Sequence, residues 1–325
     1  MEKLRKATDE EWAAVAEQNR FLMQDFLQNS TELSPKTLKA YESNLRIWFV
    51  WVKDYLGNKS QTEIKPLDFK RFQNWLDGRG ASSSDIANKR AAVSSLNNYI
   101  EIYYTDEYPT FRNFINKSIK RPAKVFVHDK EPLTKAEFEH LVEVLEEKGD
   151  WEKVAYLRFT LDTGCRRAES RQLLKNVVDT EPLVKEKDGI KVVLYQTHPI
   201  RCKGAGKTGK VRKLLFGEET MKALKKWVEV RGDDNCPYMF TAKRDGVETQ
   251  VSETTFNAWA ERTFTPIVGR RVHPHLFRES RATQAVVEDG KDIEAVRALL
   301  GHESSDTTRI YVIRDESEDA DALFM

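Results

Sequence analysis

Cysteine is scarce in this sequence, and long apolar runs are missing. Three of its 325 residues are cysteines, and Cys165, Cys202 and Cys236 are too scattered to indicate a disulfide framework or a zinc site. No run approaches the length of a membrane span, and the charged N-terminus leads into no apolar signal-peptide core. These absences argue against membrane proteins and disulfide-rich secreted domains. We therefore expect a soluble protein of the reducing cytoplasm with no membrane partner.

Net charge is nearly absent too, because 53 basic residues balance 52 acidic ones and leave a formal charge of +1. The balance conceals two local patches. Residues 201–213 contain six basic side chains and no acidic one, and residues 112–130 contain six more against the single carboxylate of Asp129. A phosphate backbone is attracted by such local patches rather than by net charge. Each patch is consistent either with nucleic-acid binding or with an ordinary solvated surface.

The length, with 40% hydrophobic and 32% charged residues, indicates a globular chain of two domains. Apolar residues at helical spacing predict a bundle over residues 1–120. It consists of an extra leading helix within 1–29 and further helices that begin near residues 35, 66 and 85. Six side chains of this bundle could face a phosphate backbone or could equally be ordinary helix surface: Lys36, Thr37, Lys39, Arg46, Lys89 and Arg90.

The helical pattern fails in a basic, proline-containing stretch, and we predict a linker at residues 121–132. Structure resumes at Thr134, whose spacing to Glu137 is that of a capping box. Residues 133–325 then form a second domain, in which the one convincing strand covers about 189–200 and pairs most simply with 211–216. The predicted fold is mainly α, a helical bundle followed by a mostly helical domain with a small antiparallel β-sheet.

The loop that joins the two predicted strands contains Gly206-Lys207-Thr208, which superficially resembles a nucleotide-binding P-loop. That motif requires a glycine five residues before the Gly-Lys pair, where this chain has Arg201, and a helix afterwards instead of a strand. We reject it. A lysine at the tip of a basic hairpin can instead donate a proton to a leaving oxygen, unless the loop is simply a basic turn.

Two arginines lie near predicted helix starts, where the helix dipole favours an anion. Arg166 follows a helix break at Gly164, and Glu169 is on the same helical face and could orient it; a surface salt bridge is the alternative. Arg278 lies three residues after His275, a pair suited to gripping one phosphate. The His-Pro-His sequence that ends at His275 has no further partners at metal-site spacing, so we predict no metal.

The last candidate is a tyrosine beyond a helix end. Gly301 supplies the backbone freedom that ends the helix of Leu299 and Leu300, and His302 follows it. Tyr311 lies nine residues after His302, on a short helix predicted to begin near residue 305. A tyrosine near a chain end is usually structural, but beside a phosphate site it can supply a covalent nucleophile.

These residues, in this order, resemble the tyrosine recombinase (phage integrase) family. The match covers the second domain closely and extends more loosely over residues 30–120, which are similar to the helical, SAM-like core-binding domain of that family. The segments that match are Thr163-Gly164-Cys165-Arg166-Arg167-Ala168-Glu169, Gly206-Lys207, His275-Leu276-Phe277-Arg278, and Leu300-Gly301-His302 with Tyr311.

The resemblance implies how five of these residues handle a scissile phosphate. Arg166 and Arg278 would clamp it, and Glu169 would support Arg166. His275 and His302 would hydrogen-bond the phosphate and assist proton transfer. The chain departs from the family pattern after Arg278, where histidine is frequent and this chain has glutamate.

The resemblance also implies a nucleophile and a general acid. Tyr311 would form the 3′-phosphotyrosine bond, and Lys207 would protonate the departing 5′-oxygen. Lys203 is the alternative general acid, and Arg167 would replace Arg166 if the alignment slips by one. Further DNA contacts would come from the linker and the hairpin: Lys120, Arg121, Lys203, Lys210 and Arg212.

The implied function is site-specific recombination of double-stranded DNA, as in DNA integration by mobile elements, without ATP, metal or other cofactor. Paired DNA sites and a homotetramer follow from the family, and the apolar residues 320–325 would pack into a neighbouring protomer. Two alternatives stay open, a type IB topoisomerase-like relaxing enzyme and a non-catalytic DNA-binding protein on the same fold.

Overall fold

The computed structural model describes residues 5–115, 119–120, 131–187, 189–202, 209–309 and 312. These residues form two compact units, one made of the described residues up to 120 and the other of those from 131 onward. Each unit has its own large hydrophobic core.

The first unit is a helical bundle. Proline at the first turn of its third and fourth helices and a serine before the third and fifth fix where these helices begin. The Oγ of Ser34, for example, accepts a hydrogen bond of 3.1 Å from the backbone N–H of Thr37. The helices are α1 (Asp9–Ala13), α2 (Glu17–Asn29), α3 (Pro35–Leu56), α4 (Pro66–Gly78) and α5 (Ser83–Tyr103), with a 3-10 helix at Gln61–Glu63.

The single leading helix expected within residues 1–29 is wrong, because α1 and α2 are separate helices. The side chain of Asn58 holds the break between them: its Oδ1 accepts from the N–H of Ala16 at 2.8 Å, and its Nδ2 donates to the carbonyl of Ala14 at 3.0 Å. The residues of this contact are more than forty positions apart, so the local apolar pattern did not reveal the break between the helices.

A buried polar chain runs through the core of this bundle. The Nε1 of Trp48 donates to the Oε1 of Gln61 at 2.8 Å, and the Nε2 of Gln61 donates to the Oδ1 of Asn97 at 2.6 Å. Asn19 accepts from the backbone N–H of Gln61 at 2.8 Å. Because each of these buried groups is paired, the network fixes one arrangement of α2, α3 and α5.

The second unit is built around one buried helix that packs against four others, all within this unit. Tyr156 on that helix is fully buried and stacks on Phe256 with ring centroids 4.4 Å apart. The helices are α6 (Lys135–Glu147), α7 (Trp151–Thr163, the central one), α8 (Arg167–Ser170), α9 (Glu218–Arg231), α10 (Glu253–Trp259), α11 (Thr265–Val268), α12 (Pro274–Thr283), α13 (Ile293–Leu300) and α14 (Ser305–Arg309). Shorter segments are a 3-10 helix at Lys175–Asp179 and π-helices at Ala260–Phe264 and Gln284–Glu288.

The strands of this unit form small antiparallel sheets. They are β1 (Leu183–Lys187), β2 (Ile190–Gln196), β3 (Ile200–Cys202), β4 (Lys210–Arg212), β5 (Leu215–Phe216), β6 (Thr241–Arg244) and β7 (Val247–Gln250). In the described part of the unit, β2 lies between β1 and β5, while β3 pairs with β4 and β6 with β7.

The expected pairing of 189–200 with 211–216 is therefore only partly correct. These residues form two separate pairs of strands in two sheets, β2 with β5 and β3 with β4. The strands β1, β6 and β7 are not predicted from the sequence. These strands are short and carry charged side chains such as Lys185 and Lys243, which weaken the apolar alternation that indicates a strand.

The predicted fold class is confirmed, since the chain is mainly helical with small antiparallel sheets. Among the described residues, no helix combines the length and the apolar character needed to cross a membrane.

Candidate active site

Arg166 lies at the start of α8, directly after the central helix. Gly164 ends α7 in the left-handed conformation, at φ +58°, and turns the chain. The Nη1 of Arg166 donates to the Oε1 of Glu169 at 3.0 Å, and its backbone N–H donates to the Oε2 at 3.1 Å. The contact expected from their spacing is thus present, and Glu169 is almost completely buried. Arg167 instead contacts Asn257 and Glu253.

Arg278 lies in α12 and is completely buried. Its Nη1 donates to the carbonyl of Gly164 at 2.6 Å, and its Nη2 donates to the carbonyl of Leu300 at 2.8 Å. These two carbonyls belong to the ends of α7 and α13. The guanidinium group therefore joins the helix end that leads to Arg166 with the one that leads to His302, and its orientation is fixed.

His302 follows the C-terminal end of α13 and is buried. Its Nδ1 is 2.9 Å from the Oγ1 of Thr308 in α14. The N–H of Val312 lies 3.2 Å from the carbonyl of the same threonine, and its side chain packs against the cluster that contains Leu300. Thr308 therefore fixes both His302 and the residue that follows position 311.

The two histidines share one electropositive environment. Burial lowers the pKa of His275 to about 4, with the charges of Arg278 and Arg166 acting in the same direction against an opposing effect of Glu279. Burial likewise lowers the pKa of His302 to about 4, helped by Arg278, Arg166 and further positive charge nearby. Both imidazoles are neutral at pH 7, and the arginines of distant segments are close enough to affect them.

Glu169 supplies the negative charge within this environment. Burial alone would raise its pKa, but Arg212 and Arg166 outweigh that effect and hold the pKa below its ordinary value. The neighbouring thiol of Cys165 has its pKa raised to about 12 by burial and by the charge of Glu169, so it stays neutral and is no nucleophile.

Arg212, expected to contact DNA, directs its guanidinium group to protein atoms. It donates to the Sγ of Cys202, the carbonyl of Leu299 and the Oε2 of Glu169. Lys210, at the other end of β4, is half-exposed and forms an ion pair of 2.8 Å with Glu303. The other basic residues predicted in the linker and hairpin lie outside the described residues, except Lys120, which is exposed.

The structure brings together Arg166, Glu169, His275, Arg278 and His302 within the second unit. The predicted nucleophile and general acid are not among the residues that can be located. Tyr311, Lys207, Lys203 and Arg121 lie outside the described residues.

The side chains of the N-terminal bundle that are predicted to contact DNA differ in accessibility. Lys36 and Lys39 are exposed at the start of α3, and Thr37 is half-buried beside them. Arg46 forms an ion pair of 2.8 Å with Asp9.

Lys89 and Arg90, by contrast, are buried and do not lie on the exposed surface of the bundle, so their contact with a phosphate backbone stays a prediction. The Nζ of Lys89 lies 2.7 Å from the Oδ1 of Asp85, one helical turn away. Both lysine and arginine were placed on the surface because of their charge, although long basic side chains can be buried when a partner lies within reach.

The hydrogen bonds that anchor α12 and the residue after it are not evident from the sequence. The Oγ of Ser280 accepts from the N–H of Leu133 at 2.8 Å, and the Nε2 of Gln284 donates to the carbonyl of Leu133 at 3.0 Å. No sequence pattern could have found these contacts, because about 150 residues separate the partners. In the part of the chain that the structure describes, no three histidine, cysteine or acidic side chains form a metal-binding cluster.

Comparisons with known proteins match both units. Residues 131–318 match the phage integrase family, and residues 20–101 match the phage integrase N-terminal SAM-like domain. The SPbeta prophage-derived recombinase-like protein YomM of Bacillus subtilis (strain 168) is 34% identical, over 99% of this chain and 96% of its own. Tyrosine recombinase XerC of Chlorobaculum tepidum is 25% identical, over 88% of this chain and 87% of its own.

Among solved structures, the Tn1549 transposon integrase in complex with circular intermediate DNA has the same fold. The TM-score is 0.70, with 19% identity over 95% of this chain and all of that one. One family model covers more than half of the chain, and a relative above 30% identity spans nearly all of it. The chain therefore belongs to the phage integrase family and is a tyrosine-type site-specific recombinase.

Proposed function

We propose that this protein cuts and rejoins double-stranded DNA through a covalent 3′-phosphotyrosine formed by Tyr311. The observation that carries the proposal is the convergence of Arg166, Arg278, His275 and His302, which come from three distant segments of one unit. Two guanidinium groups and two neutral imidazoles suit a phosphodiester, since the arginines neutralise the charge that builds on its non-bridging oxygens.

The histidines are poised to respond to the substrate. Burial and, to a smaller extent, the surrounding arginines lower the pKa of His275 and that of His302 to about 4. A bound phosphate offsets that positive charge and raises both pKa values, so each neutral ring becomes a better proton acceptor when DNA is present. We assign His275 to accept the phenolic proton of Tyr311 and His302 to hydrogen-bond the phosphate.

The reaction is a transesterification. The Oη of Tyr311 forms a bond to phosphorus while the bond from phosphorus to the 5′-oxygen breaks, and Lys207 protonates that oxygen. A 5′-hydroxyl of the partner strand then attacks the phosphotyrosine and releases the enzyme. The bond energy stays in the phosphotyrosine, so the reaction needs no ATP, and the arginines provide the charge stabilisation for which other enzymes use a metal.

The proposed function also assigns a role to each part of the chain. We assign residues 1–120 to a core-DNA-binding domain, 121–132 to a linker and 133–325 to the catalytic domain. The related Tn1549 integrase was solved with DNA, which supports DNA as the partner of this chain. Exchange between two duplexes requires four active sites, and we therefore propose a homotetramer on paired sites.

Suicide DNA substrates test the proposal. Genomic DNA of the organism that encodes the chain is fragmented and nicked, incubated with the protein in EDTA without ATP, and denatured. We expect a protein–DNA adduct that survives denaturation. DNA binding without any adduct would indicate a non-catalytic protein, and relaxation of supercoiled plasmid without a second site would indicate a topoisomerase.

A further inference from the structure

We infer that Arg212 is a positioning residue that sets the geometry of Arg166 and His302, and not a DNA contact. This inference rests on the proposed function, because it concerns how that site is held in place. The residue lies at the end of β4, directly after the basic hairpin loop that contains the predicted general acid. Its contacts connect that strand to two other parts of the site.

The guanidinium group of Arg212 forms three hydrogen bonds in three directions. The Nη2 donates to the Oε2 of Glu169 at 3.1 Å, the Nη1 to the carbonyl of Leu299 at 2.5 Å, and the Nε to the Sγ of Cys202 at 3.2 Å. About one fifth of the side chain is exposed. Every nitrogen of the group thus donates to protein, and the rigid fork fixes the relative positions of three segments.

The contact with Glu169 acts on Arg166. One carboxylate holds both guanidinium groups, with its Oε1 accepting from Arg166 at 3.0 Å and its Oε2 from Arg212 at 3.1 Å. Without Arg212, the carboxylate keeps only its two contacts with Arg166 itself, and the pair loses its connection to β4 and to the end of α13, so the orientation of Arg166 is held less firmly. A guanidinium group stabilises the charge of a phosphate less well when its position and orientation are not fixed.

The contact at the end of α13 acts on His302. A Cβ atom added to Gly301 would lie 3.0 Å from both the Cζ and the Nη1 of Arg212, closer than nine in ten real Cβ contacts. The guanidinium group therefore packs directly against the backbone that precedes His302. Glycine at this position serves two purposes, since its φ of +66° also ends the helix.

Two substitutions separate positioning from DNA contact. Arg212→Met removes the charge and the hydrogen bonds, and Arg212→Lys keeps the charge but loses the planar fork. We expect both to slow adduct formation at saturating DNA by about 10- to 100-fold and to leave the dissociation constant for DNA nearly unchanged. Lys225→Met removes an exposed charge from α9, outside the basic patch of residues 201–213, and serves as the control, with an unchanged rate.

A phosphate contact would give the opposite pattern. Arg212→Lys would then keep the rate, and Arg212→Met would weaken DNA binding and reduce its salt dependence without slowing cleavage at saturation. Either of these results overturns the inference, as does a rate at saturating DNA that neither substitution changes.

A measurement without DNA keeps the inference testable if the proposed function fails. Proton NMR titration follows the ring of His302, with His302→Gln used to assign its signal. Arg212 is one of the charges that depress the pKa of His302, so Arg212→Met should raise that pKa above its value of about 4. Arg212→Lys should raise it less. An unchanged pKa in both variants would show that Arg212 does not set the surroundings of His302.

Discussion

At the scale of single residues, one buried carboxylate organises the charge of the site. Glu169 lies between Arg166 and Arg212 and keeps two cations close together. The three-residue spacing of Arg166 and Glu169 made their contact predictable from sequence. The contact with Arg212 was not predictable, because it joins residues more than forty positions apart and depends on how β4 packs.

The depressed pKa values of His275 and His302 predict how stability varies with pH. Each ring binds its proton more weakly in the folded protein, at a pKa of about 4, than in the unfolded chain, where the ordinary value is 6.5. The contribution of the two neutral rings to the free energy of unfolding is complete above about pH 6.5 and is lost as the pH falls toward 4. Urea unfolding of wild type and the double variant His275→Gln/His302→Gln should show a shallower pH dependence in the variant.

The comparison with the variant is needed because another group acts with the opposite sign. Burial raises the pKa of Glu152 from 4.5 to about 7. The folded protein therefore loses stability through this group as the pH rises from about 4.5 to 7. Glu152→Gln serves as the control and should steepen the rise in stability between pH 4.5 and 7. Parallel pH profiles for wild type and the double histidine variant would contradict the account.

At the scale of elements, the site depends on where α7, α12 and α13 end or begin. The sequence indicated two of these boundaries, because Gly164 and Gly301 mark helix ends. The packing that brings these helix ends together could not be predicted from local sequence patterns. The carbonyls of Gly164 and Leu300 meet at Arg278 only in the folded unit.

Replacing Ser280 tests the anchor of α12. Ser280→Ala leaves the buried N–H of Leu133 without its hydrogen-bond acceptor, and we expect the free energy of unfolding to fall by about 1–3 kcal/mol. Denaturant unfolding measures this change. Ser84→Ala, on the exposed surface of α5, is the control and should change stability little. Equal effects of the two substitutions would mean that the anchor contributes nothing.

A matched pair of glycines tests the close approach of α7 and α13. Both Gly164 and Gly149 have positive φ, so alanine at either position costs about 1–2 kcal/mol from the backbone alone. A Cβ atom at Gly164 would also clash with the Cδ2 of the fully buried Leu300, whereas Gly149 faces open space. Thermal unfolding should therefore show a clearly larger loss for Gly164→Ala. Similar losses would contradict the packing described for these two helix ends.

At the scale of the whole molecule, the order of the two units was predictable from composition and helical periodicity. The failure of the helical pattern in the predicted linker at residues 121–132 separated them. The buried network of Gln61 and Asn97, and the burial of Lys89, could not be read from sequence, since they depend on partners supplied by packing. Charged and polar side chains are placed outside by default, and such exceptions require the tertiary structure.

Assembly is tested by shortening the chain. If residues 320–325 pack into a neighbouring protomer, their deletion should weaken cooperative assembly on paired DNA sites while leaving the binding of one protomer to one site intact. Gel-shift titration resolves the two steps. Full cooperativity in the shortened protein would exclude this contact.

The central claim is that Tyr311 attacks a phosphate held by Arg166 and Arg278. Mass spectrometry of the peptide that stays linked to a suicide DNA substrate after denaturation and proteolysis tests it most directly. We predict that the linked peptide contains Tyr311 and that Tyr311→Phe, which still binds DNA, yields no adduct. A linkage at another tyrosine, or an adduct that persists in Tyr311→Phe, would contradict the account.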